Sequence, residues 1–367
     1  MADVPLQNIL QSGSVAAMTL RRLARPTLND VAREARVSAA TVSRALSRPE
    51  MVNTDTQQRI KAAAEQLGYL PNGAGRALAS GLSRTVGIVV PTLDASIFSR
   101  AIQSLKQALA DESYQLLVAA HEYSLAAEAS AVRSMLAHRV DGLILIGSDR
   151  AGETRSLLRA AKVAVVVIWS FDDEFDCIGF DNEAAGRLAA EHLLALGHRR
   201  IAMISGHTAQ NDRARLRVLG MRNAMRNANY ELPDWYLVER PFTLDGGRAG
   251  LSQLLALKEP PSAIVCGNDL LAAGVMFEAA ARNIAIPGNI SVIGIDNLDI
   301  SGHLNPPLTT VHLPTAQLGI AAAEHLLARI EGKPFSRRQE LSVALVVRGS
   351  TGPRREAERT FGAPNAP

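Results

Sequence analysis

Seven short runs of aliphatic residues, set at helix-length intervals, constrain this chain of 367 residues more than any other feature. They are TVGIVVP (85–91), YQLLVAAH (114–121), DGLILIG (141–147), VAVVVIW (163–169), RRIAMISG (199–206), SAIVCGND (262–269) and ISVIGIDN (290–297). A strand with one wet face alternates apolar and polar residues. These runs do not alternate, so each predicts a strand buried on both faces. Stretches with helical periodicity separate most of them, and repeated strand–helix units predict parallel sheets covered by helices. The runs fall into two blocks, about 84–182 and 183–312, which predicts an α/β body of two doubly wound lobes. A helix at 315–331 and an apolar run at 340–348 are expected to cross back and complete both. On that reading 313–341 join the first lobe and 342–350 the second.

Residues 26–81 have a different texture. TLNDVAREARVSAATVSRAL (27–46) reads as two short helices. Thr27 is placed as the N-cap of the first, with Val31, Ala32 and Ala35 as its apolar face. A break follows at Arg36-Val37, and Ser38 caps a second helix with Val42 and Leu46 facing inward. A third helix starts after Asn53, with Ile60, Ala63, Ala64 and Leu67 at helical spacing between Thr54 and Leu67. Three short helices joined by tight turns make an all-α helix-turn-helix pattern, whose second helix offers base edges its N-terminal residues. Charge agrees with this. The formal net charge of +3 hides a balance of +5 over residues 1–84 and −2 over the remainder, a basic head on a slightly acidic body. The predicted organisation is an extension at 1–25, a head at 26–70, a hinge or linker at 71–83, a body at 84–350 and a tail at 351–367. Extension and tail are expected to be disordered, and Met18 is an alternative start.

Other classes find little support. The two cysteines, Cys177 and Cys266, each lie in an apolar stretch and are expected to be buried free thiols. No CxxC, HExxH or Cys/His cluster occurs, so neither metal nor cofactor is expected. The N-terminus has no apolar core of signal-peptide type, and no run approaches a membrane span, which predicts a cytoplasmic protein. GxSxG and P-loop motifs are absent, and no convincing carboxylate pair marks an enzyme. A transport-type sugar-binding protein would share the two-lobed body, but the basic head argues against it.

In doubly wound sheets ligands bind beyond the carboxyl ends of the strands. That rule selects the Pro91–Phe98 loop, His121 to Tyr123, Trp169, Gly206 to Arg217, Asn268-Asp269 and Asp296-Asn297. A cleft combining Arg, Asn and Asp with one or two aromatic rings suits a polyhydroxylated ligand. Ring faces pack its C–H surface, and fork-shaped donors and carboxylates meet its hydroxyls.

The head sequence, then Val52 to Leu67, then GYLPN (68–72), resembles the lactose-repressor/galactose-repressor family. So do RVDGLIL (139–145), EHLLALGHRRIAMISG (191–206), ARLRVLGM (214–221), CGNDLLAAG (266–274), ISVIGIDN and PPLTTVHLP (306–314) in the body. The resemblance implies a periplasmic-binding-protein-like body that binds an effector and dimerises. It implies a homodimer on a pseudo-palindromic DNA operator, released or engaged according to a small sugar or sugar-acid effector. Stretches such as VPTLDASIF (90–98) and GFDNEAAGR (179–187) look most like gluconate-type regulators. The DNA-binding set implied is Thr27, Leu28, Ser38, Ala39, Ala40, Thr41, Ser43, Arg44 and Asn53 in the head, with Asn72, Arg76 and Leu78 in the hinge. Ala39 and Ala40 match the base-reading pair but cannot donate hydrogen bonds, so base discrimination falls to Arg44. Leu78 matches a leucine that wedges into the minor groove. The effector set implied is Phe98, Arg217, Asn268 and Asp296, joined by His121 and Trp169 from the strand-end rule. Two departures stand out. Arg36 occupies a turn position where the family usually has Gly, and Trp169 stands where several relatives carry an acid. The tail lacks leucine heptads, so a dimer is expected, not a tetramer.

Overall fold

The computed structural model describes residues 26–70, 81–93 and 96–354. Asn72, Arg76 and Leu78, with most of the hinge, the N-terminal extension and residues 355–367, lie outside the described residues. The chain divides between Ser83 and Arg84 into two units.

In the first unit the helices are Leu28–Glu34 (α1), Ala39–Ser47 (α2) and Thr54–Leu67 (α3), with a single 3-10 turn at Pro49–Met51. Each start has a side-chain cap. Thr27 Oγ1 accepts from the Asp30 N–H and the Asp30 carboxylate accepts from the Thr27 N–H at 2.8 Å, a reciprocal capping box. Ser38 Oγ accepts from Thr41 N–H at 3.1 Å, and Asn53 Oδ1 from Asp55 N–H at 2.9 Å. Val31, Ala32, Ala35, Val42, Ile60, Ala63 and Tyr69 form the core, with Leu46, Ala64 and Leu67 packed against it. Arg36 has φ 52°, in the left-handed region. A side chain there costs roughly 1 kcal/mol. The turn is held from outside by Arg59, whose guanidinium donates to the carbonyls of Ala35 and Arg36.

The second unit contains two six-stranded sheets. The first runs Arg338–Glu340 (β11), Asp176–Gly179 (β5), Ala164–Trp169 (β4), Gly142–Ile146 (β3), Thr85–Val90 (β1), Gln115–Ala120 (β2), all parallel. The second runs Ala344–Val346 (β12), Thr309–His312 (β10), Ser291–Asp296 (β9), Ala263–Cys266 (β8), Ile201–Ser205 (β6), Leu237–Glu239 (β7). It is parallel except for the pairing of β10 with β12. The helices are Ser96–Asp111 (α4), Leu125–Ala137 (α5), Gly152–Ala160 (α6), Asn182–Ala195 (α7), Asp212–Asn227 (α8), Leu244–Leu255 (α9), Asp269–Ala281 (α10) and Thr315–Ile330 (α11). All seven aliphatic runs contain strands. The chain changes lobe three times. It passes from β5 to α7, from β10 to α11, which packs on α4 and β4 of the first lobe, and from β11 to β12. The apolar run at 340–348 is therefore divided between the sheets.

One contiguous apolar cluster runs under both sheets, and a second, with Val89, Val132, Met135, Leu143, Leu145 and Leu158, packs on the other face of the first. The approach of α7 to α8 is unusually close. A Cβ on Gly186 would lie 2.0 Å from the Arg217 carbonyl oxygen, and one on Gly220 1.9 Å from that of Glu183. Only glycine admits this contact, and it fixes the height of α8 above the second sheet. The chain end differs from expectation. His198 hydrogen-bonds Ser262 and Ser291 through its two ring nitrogens, Gly352 N–H donates to Ser291 Oγ, and Arg354 N–H to the Leu196 carbonyl at 2.9 Å. Residues 351–354 thus belong to the second lobe, where the sequence suggested a disordered tail. Among the described residues no helix is long and apolar enough to cross a membrane, and none group as a metal site.

Candidate effector cleft and DNA-reading face

Between the two lobes lies a cavity of about 470 Å³, built from segments that follow β1, β2, β4, β6, β7, β8 and β9. Its position obeys the strand-end rule. Of the six residues expected there, Phe98, Trp169, Arg217, Asn268 and Asp296 line it.

Asp296 ends β9 with φ 125°, a strained backbone that sets its carboxylate at the cavity wall. Both carboxylate oxygens are buried without a hydrogen-bond partner. The nearest cation is Arg217, with Nη2 3.7 Å from Oδ1. Burial pushes the Asp296 carboxyl well above the usual range, opposed by Arg217 and reinforced by Asp269. Arg217 is itself fixed: Nε donates to Asn182 Oδ1 at 3.2 Å and Nη1 to the Gly267 carbonyl at 2.6 Å. Asn268 has two tasks. Its Oδ1 caps α10 by accepting from Leu271 N–H at 2.8 Å, so what it can offer a ligand is its amide N–H. Trp169 has φ 72° and is almost fully buried, with its indole N–H unpaired. It packs edge-on against Phe98 and Phe180, at centroid distances of 5.1 and 6.3 Å. An unpaired carboxyl and an unpaired indole N–H, both on residues that line one cavity, are costly to folding unless a bound group pairs with them.

His121 does not line the cavity. Two consecutive left-handed residues, Glu122 and Tyr123, turn the chain at the end of β2 and bring their own side chains to the wall instead. The imidazole stays buried against the Tyr123 ring, and burial, with Arg213 and Arg150 nearby, lowers its pKa to about 4. Among the lining residues not singled out as effector contacts in the sequence are Tyr123, Arg213 and Phe242. The strand-end rule had selected the segments of the first two. Phe242 follows β7, whose three residues give no recognisable strand signal.

The lobes are fastened together beside the cavity. Ser148, just past β3, donates its N–H and its hydroxyl to Asp212 Oδ2 at 3.0 and 2.9 Å. Asp149 takes a two-pronged ion pair from Arg215 at 2.7 and 2.6 Å.

In the head, Ala40, Ser43 and Arg44 share an exposed face of α2. Ala39 and Leu28 are half-buried and pack on the head core. Ser38 and Thr41 hydroxyls bond each other at 2.8 Å. Thr27, Ser38 and Asn53 are thus occupied as helix caps, leaving Arg44 as the long donor on that face.

A DNA-reading head joined to a two-lobed body with a polar cleft defines a ligand-responsive DNA-binding regulator. Residues 27–72 match the bacterial regulatory proteins of the lacI family, and residues 190–351 a periplasmic binding protein-like domain. The regulator GntR of Pseudomonas aeruginosa is 36% identical over 316 residues, covering 85% of this chain and 92% of that protein. The repressor CytR of Escherichia coli K12 is 31% identical, covering 89% and 96%. The lac repressor dimer bound to operator and an anti-inducer superposes with a TM-score of 0.80 at 29% identity, over 89% of this chain and 99% of that one. The chain belongs to the lacI family of transcriptional regulators, which act by binding and not by catalysis.

Proposed function

We propose that this protein is a cytoplasmic repressor that holds a pseudo-palindromic operator as a homodimer and releases it when a sugar acid fills the cleft. The observation that carries the ligand reading is the buried, unpartnered Asp296 carboxylate beside Arg217, on a cavity walled by aromatic rings. Carboxylate and amide groups accept and donate to adjacent hydroxyls, while Phe98, Trp169 and Phe242 cover the C–H faces. A second guanidinium at the wall, that of Arg213, supports an acid over a neutral sugar. The head set (Thr27, Leu28, Ser38, Ala39, Ala40, Thr41, Ser43, Arg44 and Asn53) is assigned to DNA, with base discrimination concentrated in Arg44. Dimerisation is supported by the family's dimeric lac repressor structure. Filling the cleft moves one lobe against the other, and ligand and operator then affect each other's binding reciprocally, typically by 1–3 kcal/mol.

The test is fluorescence anisotropy of the full chain on the DNA upstream of its own gene, against a panel of sugars and sugar acids at physiological salt. One sugar acid should weaken nanomolar binding by about tenfold or more. A neutral sugar acting alone would displace the acid assignment, and absence of specific DNA binding would displace the repressor assignment.

A further inference from the structure

We infer that Arg213, and not Arg217, is the residue that selects an acidic over a neutral effector, an inference that rests on the sugar-acid reading above. Both guanidinium groups line the cavity from one face of α8. They are four residues apart, about 6 Å along the helix axis. Their surroundings differ. Arg217 is committed through Nε to Asn182, through Nη1 to Gly267 and through Nη2 to the neighbourhood of Asp296. A carboxylate arriving there would meet few free N–H groups.

Arg213 is also buried, but its hydrogen bond to Asp212 Oδ1, at 2.9 Å, engages only Nη1. Arg213 also hydrogen-bonds the Tyr123 hydroxyl in the cleft. The second oxygen of Asp212, Oδ2, is held by the two donors of Ser148, so this ion pair engages the Arg213 fork through one carboxylate oxygen and not two. Space for the guanidinium comes from Gly147, where a Cβ would stand 1.8 Å from Nη1. A ligand carboxylate can take the remaining edge of the Arg213 fork, with the Tyr123 hydroxyl as a further donor. Its hydroxylated chain then runs one helical turn along the cleft to Asn268 and Asp296. An extended chain of four or five carbon–carbon bonds, at ~1.5 Å each, spans that interval. The hydrogen bonds already made by Arg217 direct the assignment to Arg213.

Calorimetric titration of the full chain with D-gluconate and with D-glucitol, the same carbon chain with a neutral end, tests this. Wild type should prefer gluconate by roughly tenfold or more, the scale of a charge-assisted fork contact. Arg213→Gln should bring the two affinities to within about threefold of each other while glucitol binding persists. Arg213→Lys should restore part of the preference by restoring the charge. The ratio is insensitive to a general loss of folded protein. If Arg213→Gln keeps the wild-type preference, the selector lies elsewhere and this inference falls alone. If wild type shows no preference for gluconate, the sugar-acid reading falls with it.

Discussion

Two buried ionisable residues behave differently although both sit near the cleft. Asp296 is a carboxyl whose pKa burial pushes well above the usual range, opposed by the Arg217 guanidinium 3.7 Å away. Asp296→Asn keeps its shape and leaves folding nearly unchanged, but it exchanges acceptors for donors where ligand hydroxyls need acceptors. Effector affinity should fall by about 1.5–3 kcal/mol with operator affinity in the absence of effector retained. Titrating effector into the protein–DNA complex reads both quantities, and a retained response would remove Asp296 from the site. His121 instead contributes to pH dependence. Its folded pKa of about 4, depressed by burial and by Arg213 and Arg150, lies below the ordinary value of 6.5. Between pH 6.5 and 4 the unfolded chain binds a proton that the folded chain refuses, so stability rises with pH across that window and is lost on acidification. The loss is at most about 3 kcal/mol, reduced by whatever water reaches the ring. His121→Gln should flatten the urea-unfolding midpoint between pH 7 and pH 5 relative to wild type. Identical slopes would show that the imidazole is solvated.

Elements differ in how plainly the sequence announces them. Strands such as β3 and β4 are five- and six-residue aliphatic runs, and burial on both faces leaves no other reading for GLILI or AVVVIW. The strands β5, β7, β10 and β11 read DCIG, LVE, TTVH and RQE, too short and polar to stand out. They pair because neighbouring strands present a ladder, a cause outside their own residues. The same division runs through the cleft. Arg217, Asn268 and Asp296 follow recognisable strands and were legible, whereas Phe242 follows an unrecognised one. His121 was misplaced because two left-handed residues at a strand end reverse which side chain faces the cavity. In the head, the short connection between α1 and α2 carries a testable defect. Arg36 sits at φ 52° where glycine has no steric penalty. Arg36→Gly should stabilise this turn by about 0.5–1 kcal/mol, seen as slower amide hydrogen exchange in α1 and α2 of the full chain. If Arg36 also touches a phosphate, the slope of log affinity against log salt should shrink by about one. Faster exchange in the variant would mean that the arginine side chain supports the turn more than its backbone strains it.

At the scale of the whole body, the question is what holds the two lobes at their observed separation. The hydrogen bonds of Ser148 to Asp212 and the ion pair of Asp149 with Arg215 join the segment after β3 to the first turn of α8. These contacts involve no effector atom, so part of the observed arrangement is secured before any ligand arrives. A ligand that binds this arrangement gains apparent affinity in proportion to how often the free protein adopts it. The Asp149–Arg215 pair is partly exposed, and such pairs contribute about 0.2–1 kcal/mol. Removing it should therefore lower effector affinity by up to about fivefold. Asp149→Ala, Arg215→Ala and the double variant form a cycle whose coupling energy isolates the pair from the loss of either side chain alone. Small-angle scattering of the unliganded protein should show a slightly larger radius of gyration in each variant, with the difference closing at saturating effector. Unchanged affinity in all three variants would mean that packing under the lobes, and not this clasp, sets their separation. A raised affinity would mean that the clasp holds the cleft too tightly for entry, placing opening, not closure, on the path to binding.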